Sequence, residues 1–187
     1  MARAVALLLA LAALAVGGSD ARSTTVPADV LDAVHGRVAG WARSGPFWFV
    51  VHLDRRGGGW CGLEGARWRM ALVRSTAQVV AVADDRDLGP AMCGNELLWV
   101  RAGRFSDGRH PEVALALRTT PSVGATARIE RIAGGRLHEL ATFHGDAFLL
   151  GRGSVTVRFD NTARSPRGHL EERYRFDGKR YRLVTGR

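Results

Sequence analysis

Six histidines, two cysteines and 18 carboxylates are the residues of this 187-residue chain with the most chemistry open to them. Their spacing limits that chemistry. The histidines stand at positions 35, 52, 110, 138, 144 and 169, and no two of them form H-E-x-x-H or another metal-binding set. His52 sits inside the apolar run Phe47–Leu53 with no Cys, His or Asp at ligand spacing, and reads as a satisfied core histidine. His35 reads as a solvated side chain on a helix. His144-Gly145-Asp146 brings an imidazole near a carboxylate, but a triad is spatial, and this string reads as a turn. Gly151-Arg152-Gly153-Ser154-Val155 misses the G-x-S-x-G nucleophile elbow in both spacing and context. Gly57-Gly58-Gly59 is followed by Trp60-Cys61-Gly62-Leu63 and not by the G-K-[ST] of a phosphate loop. Asp84-Asp85-Arg86-Asp87 lacks the alternation that delivers oxygens to calcium and reads as a solvated acidic loop ended by Gly89-Pro90. No catalytic residue, metal site or cofactor motif is therefore expected. Paired carboxylates of a glycosidase are spatial and would leave no such signal.

The elements that position these residues begin with an export label. Arg3 precedes the unbroken apolar run Ala4–Val16, and Ser19 and Ala21 suit a signal peptidase, which predicts a signal peptide over 1–21 with cleavage after Ala21, or else after Gly18. The run is too short to span a bilayer, which needs about 20 residues. One exported domain over 22–187 follows, not an integral membrane protein once the signal is removed. In that compartment Cys61 and Cys93 are expected to form one disulfide. The alternative, a nucleophilic Cys61, needs a partnering histidine that cannot be placed. The net charge is +9, and all but one of the 27 basic residues are arginines. Such a charge favours anionic partners and says nothing of fold.

Val30, Leu31, Val34, Val38 and Trp41 recur at helical spacing, with Pro27 in the first turn and Ser44-Gly45-Pro46 as the stop, which predicts one amphipathic helix. Gly36 and Gly40 weaken it by up to ~1 kcal/mol each. Phe47–Leu53 predicts a strand buried on both faces, and Trp68, Met70 and Leu72 alternate with Arg67, Arg69 and Ala71 at period two. The central signal is Leu97–Phe105, then a turn containing Asp107-Gly108, then Pro111–Arg118, a hairpin whose Asp107 and Glu112 are expected in solvated or capping places. Turns follow at Thr120-Pro121 and Gly134-Gly135, and short strands continue to the end. Eight to eleven strands behind one helix predict a mainly β domain, an antiparallel sandwich or strongly curled sheet with the helix as its cover.

Two strings carry a resemblance. Arg104-Phe105-Ser106-Asp107-Gly108-Arg109-His110-Pro111-Glu112-Val113-Ala114 resembles the D-G-x-P-[DE] signature of FG-GAP and VCBS-type repeats in small exported proteins of high-GC bacteria. Arg173–Tyr181 resembles the aromatic-D-G-x-x-aromatic hairpin that closes such proteins. Together they cover about 20 residues. That family often binds calcium through an Asp run ahead of Asp-Gly, whereas Gly103 and Ser106 stand at the corresponding places here. The chain is also too short for a propeller, so the resemblance implies one repeat-like hairpin.

A two-residue Asp177-Gly178 turn would set Arg175 opposite Arg180 and Arg173 opposite Arg182, beneath an aromatic face of Tyr174, Phe176 and Tyr181. Like-charged cross-strand pairs are unfavourable unless an anion lies nearby. Arg173, Arg175, Arg180 and Arg182 are thus candidate contacts to an anionic cell-surface polymer, phospholipid or nucleic acid, the last without any dedicated motif; a protein partner is also open. The reading is a secreted, non-catalytic binding or accessory module. The alternative is a small secreted hydrolase or hydrolase inhibitor with a site assembled from distant residues, which a pocket gathering His and carboxylate would favour.

Overall fold

A computed structural model describes residues 25–120 and 124–186. The expected signal peptide, its cleavage sites and Pro121 of the expected Thr120-Pro121 turn lie outside the described residues. The chain is mainly β. Twelve strands form three four-stranded antiparallel sheets, each a meander of sequential hairpins among the described residues. The first sheet holds β1 (Arg37–Ser44), β2 (Phe47–Leu53), β3 (Arg67–Ser75) and β4 (Val80–Pro90). The second holds β5 (Glu96–Gly103), β6 (Glu112–Thr120), β7 (Gly124–Ala133) and β8 (Arg136–Gly145). The third holds β9 (Ala147–Gly151), β10 (Ser154–Arg158), β11 (Glu171–Phe176) and β12 (Tyr181–Gly186).

Period-two burial stacks these sheets. Phe49, Val51 and Leu53 of β2 and Trp68, Met70 and Leu72 of β3 pack against Val113, Leu115 and Leu117 of β6. The intervening residues Ala114 and Ala116 turn the other way, toward Val155, Val157 and Phe159 near the third sheet. The second sheet is therefore the middle layer, and β6 is buried on both faces from Glu112 to Leu117. On the outer face of the first sheet, Val30 and Val34 close over Trp48, Val50, Ala71 and Val73.

The covering helix is shorter than its apolar spacing predicts. α1 (Ala28–Ala33) ends before His35, and Arg37–Ser44 is strand β1, paired with β2 from Arg37↔Leu53 to Ser44↔Phe47. Gly36 is the reason. It takes φ +134°, and a Cβ there would lie 1.9 Å from the Leu53 carbonyl oxygen, so the chain leaves the helix and closes onto the end of β2. Pro27 stands at the N-cap, before the first turn. His35, expected on the helix, lies exposed beyond its end.

The Asp84–Asp87 string is likewise not a loop but the middle of β4. An arginine side chain meets each of its aspartates: Arg69 donates to Asp85 at 3.0 Å, Arg67 to Asp87 at 2.8 Å and Arg86 to Asp84 at 3.2 Å. Asp84 also accepts from the Leu137 amide at 2.8 Å, tying β4 to the middle sheet. The carboxylates that depress β propensity as free groups are here cross-strand and intersheet partners.

The Cys61–Cys93 disulfide is formed, with Cα atoms 5.7 Å apart. It joins the β2–β3 loop to the segment before β5. Replacing both cysteines with serine should lower unfolding free energy by about 3–4 kcal/mol for a loop of this length, read by denaturant titration. Gly36→Ala should destabilise severely, because its strained φ and the Leu53 carbonyl leave the methyl no place; an unchanged melting temperature would contradict that packing.

Candidate binding cleft

The closing hairpin folds in a different register from the one its Asp-Gly predicts. Phe176 faces Tyr181, Arg175 faces Arg182, Tyr174 faces Leu183 and Arg173 faces Thr185, with a bulge between Arg173 and Tyr174. A type I′ turn centred on Asp177-Gly178 would force the aspartate to positive φ, and among the described residues only glycines adopt it. Gly178 alone does so here. The Asp177 carboxylate caps the turn instead, accepting from the Lys179 and Arg180 amides at 2.9 Å each and from the Arg182 side chain. These bonds, the Arg180 amide foremost, hold its carboxyl well below the usual range.

The new register divides the four candidate arginines. All four are exposed, but Arg173 donates to Glu171 at 2.9 Å and Arg182 is paired with Asp177. The predicted Arg173/Arg182 and Arg175/Arg180 pairs do not form; one like-charged pair, Arg175↔Arg182, remains. Arg175 and Arg180 enter no ion pair among the described residues. Of the four, Arg180 lines a cavity of about 520 Å³ between β8 and the β11–β12 hairpin.

That cavity is the candidate cleft. Phe143 of β8 lies 5.0 Å from Tyr174 and 5.6 Å from Tyr181, ring centre to centre and edge to face. Beneath them Glu172 is almost fully buried, yet accepts from Ser165 at 3.2 Å, from Arg167 at 3.1 Å and from the Tyr174 hydroxyl. Arg167 also donates to the Tyr174 oxygen at 2.9 Å. Glu172 and Arg167 thus neutralise each other, and Arg180 supplies the rim's uncompensated charge. Burial pushes the phenols of Tyr174 and Tyr181 above their ordinary range, so both stay neutral donors.

A second buried carboxylate positions this wall. Glu112 is 0% exposed, not solvated as its place beside a turn suggests. It accepts from the Ser106 amide at 2.8 Å, from the Ser106 hydroxyl and from Arg131 at 3.2 Å. The loop so fixed presents the Phe105 carbonyl, which accepts from the Tyr181 hydroxyl at 2.8 Å and the Gly153 amide at 2.7 Å. Asp107, the acid of the Asp-Gly signature, accepts from the Arg109 amide at 2.9 Å. Sequence reasoning missed Glu112 and Glu172, though period two was a usable signal: Glu112 shares parity with Ala114 and Ala116, and Glu172 with Tyr174 and Phe176.

A separate cavity of about 490 Å³ lies beside the end of α1, where His35, His52, Asp54, Arg69 and Asp85 converge. His52 is 3% exposed, and contrary to the sequence reading neither ring nitrogen has a hydrogen-bond partner. Burial lowers its imidazole below the usual range, with Asp85 opposing. The two carboxylates are committed elsewhere, Asp85 to Arg69 and Asp54 to the Arg67 amide at 2.9 Å. His144, adjacent in sequence to Asp146, instead meets Thr126 at 3.1 Å, while Asp146 pairs with Arg164. No family model and no curated protein matches the chain.

Two buried groups give the fold opposite responses to pH. His52 binds its proton less readily folded than unfolded, so its contribution is present above the unfolded value of about 6.5 and declines as pH falls below it. His52→Leu should therefore gain stability relative to wild type as pH drops from 7.5 to 5. Glu130 is buried opposite Glu139, and burial first, then that neighbour, push its carboxyl up to about 7. The unfolded chain ionises first, so the contribution of Glu130 to wild-type stability falls as pH rises from about 4.5 to 7. Glu130→Gln should flatten this slope in denaturant titrations; an unaltered slope would contradict the assignment.

Proposed function

We propose that the protein is an exported, non-catalytic binding module that holds an anionic cell-surface polymer in the cleft between β8 and the closing hairpin. The observation that carries this reading is Arg180, outside any ion pair among the described residues, at the rim of a cavity walled by Phe143, Tyr174 and Tyr181. Aromatic faces accept the apolar faces of repeating units, and a guanidinium grips carboxylate or phosphate with paired donors. The Cys61–Cys93 disulfide fits an oxidising compartment outside the cytoplasm. The +9 charge favours encounter with an anionic polymer.

The His35–His52–Asp85 cavity favours the second reading, a small secreted hydrolase. It gathers the residue types but not the relay: neither carboxylate holds an imidazole, and the cavity lining includes no serine, threonine or cysteine nucleophile. The binding reading accounts for more of the geometry. The resemblance to FG-GAP and VCBS-type hairpins belongs with it, as a surface module and not as a calcium site.

Retention on an anionic cell-wall polymer in rising salt tests the reading. Arg180→Gln should weaken retention about tenfold at low salt, as loss of a charge-assisted hydrogen bond of ~1.5–3 kcal/mol implies. Arg173→Gln, already paired with Glu171, should change it little. Equal retention of Arg180→Gln and wild type, or retention indifferent to salt, would remove the cleft from the account.

A further inference from the structure

At the other end of the disulfide the chain exposes what it elsewhere buries. Trp48 and Trp68 are core residues, yet Trp60 is 90% exposed and Met92 is 48% exposed. Each immediately precedes a cysteine of the Cys61–Cys93 bridge. Trp60 is also a central residue of a tight turn, in which the Gly62 amide donates to the Gly59 carbonyl at 3.2 Å. The turn caps a small ladder, where Gly58 and Glu64 exchange backbone hydrogen bonds of 2.8 and 3.1 Å. Met92 opens a second turn, closed by the Asn95 amide on its carbonyl at 2.9 Å. Two turns and a covalent bridge thus hold the residues that carry an exposed indole and an exposed thioether, each next to a cysteine of the bridge.

Cations flank this tip. Arg37, Arg55 and Arg56 converge with the backbone of Gly57 and Gly62 on a cavity of about 300 Å³. Arg55 uses its guanidinium to brace the loop, donating to the Gly65 carbonyl at 2.8 Å. None of the three enters an ion pair among the described residues, although Arg67 and Arg69 close by are both paired with aspartates. The loop's own carboxylates are Asp54, which accepts from the Arg67 amide, and Glu64, two against the three cations. Arginines outside any ion pair fit a phosphate, and an indole at a polar boundary fits the headgroup region of a bilayer.

We propose that this tip docks on an anionic phospholipid bilayer, Trp60 and Met92 entering the interfacial region while Arg37, Arg55 and Arg56 receive lipid phosphates. The docking is peripheral: among the described residues no helix is long and apolar enough to cross a membrane. It does not depend on the cleft, which lies on different strands. Two weak terms combine here, since one interfacial aromatic or a few surface arginines alone hold a protein only marginally. Both should therefore be needed.

The test is co-sedimentation of the full disulfide-bonded chain with phosphatidylcholine vesicles containing 30% phosphatidylglycerol, against pure phosphatidylcholine. Wild type should partition onto the anionic vesicles and release as salt rises. Trp60→Ala and Arg56→Gln should each weaken partitioning severalfold, with unchanged melting temperatures because both side chains are exposed and neither braces the loop. Arg180→Gln should bind vesicles as wild type does, which separates this surface from the cleft. Vesicles carrying brominated acyl chains should quench wild-type fluorescence and leave Trp60→Ala unquenched. Inorganic phosphate at millimolar concentration should not displace the protein. Wild type failing to bind anionic vesicles, Trp60→Ala binding equally well, or displacement by inorganic phosphate would each overturn the proposal.

Discussion

The Glu112 carboxylate is the constraint on which most of the architecture leans. Taking a carboxylate out of water costs stability unless donors meet its oxygens. Ser106 and Arg131 meet them, and in doing so fix the eight-residue connection between β5 and β6. Its Phe105 carbonyl then receives the Tyr181 hydroxyl and the Gly153 amide, and the Gly153 carbonyl receives the Phe176 amide. The Arg131 guanidinium lies 5.8 Å from the Phe176 ring centre. One buried acid of the middle sheet thus positions the hairpin of the third sheet, and with it one wall of the cleft.

The three-layer arrangement explains which features were legible in the sequence. The β5–β6 hairpin, the doubly buried Phe47–Leu53 strand and the alternating Trp68–Met70–Leu72 face follow from period and β propensity, and the structure has all three. The mainly β class and the disulfide were legible for similar local reasons. Val30 to Trp41 misled because apolar spacing does not register a glycine pressed against a carbonyl, and Gly36 turns the second half of that pattern into a strand. Asp177-Gly178 misled for a related reason: a capping carboxylate and a turn's first central residue look alike in sequence but demand different φ. Asp84–Asp87 read as a loop because the arginines that neutralise its side chains stand on β3 and within the string itself.

The candidate cleft was only partly legible. Arg180 and the aromatic parity of Tyr174 and Tyr181 came from the sequence, whereas Arg167, Glu172 and Phe143 joined them through tertiary packing. With far more cations than acids toward the end of the chain, placement of the carboxylates decides which arginines are left for a partner. Glu171 engages Arg158 and Arg173, Glu172 engages Arg167, and Asp177 engages Arg182. The same allocation in the first sheet commits Arg67 and Arg69 and leaves Arg37, Arg55 and Arg56 at the Trp60 tip. Charge count alone treats all these residues alike; cross-strand geometry separates them.

If Glu112 organises the third sheet, its effect should travel along named amides. Hydrogen exchange of Glu112→Gln, which keeps the shape and loses the charge, tests this most directly. The account predicts a loss of ~3–5 kcal/mol of global stability, as for breaking a buried ion pair. It also predicts early exchange at the Gly153 and Phe176 amides, while the β2–β3 ladder stays protected up to global unfolding. Wild-type stability together with unchanged protection at Gly153 and Phe176 would contradict it.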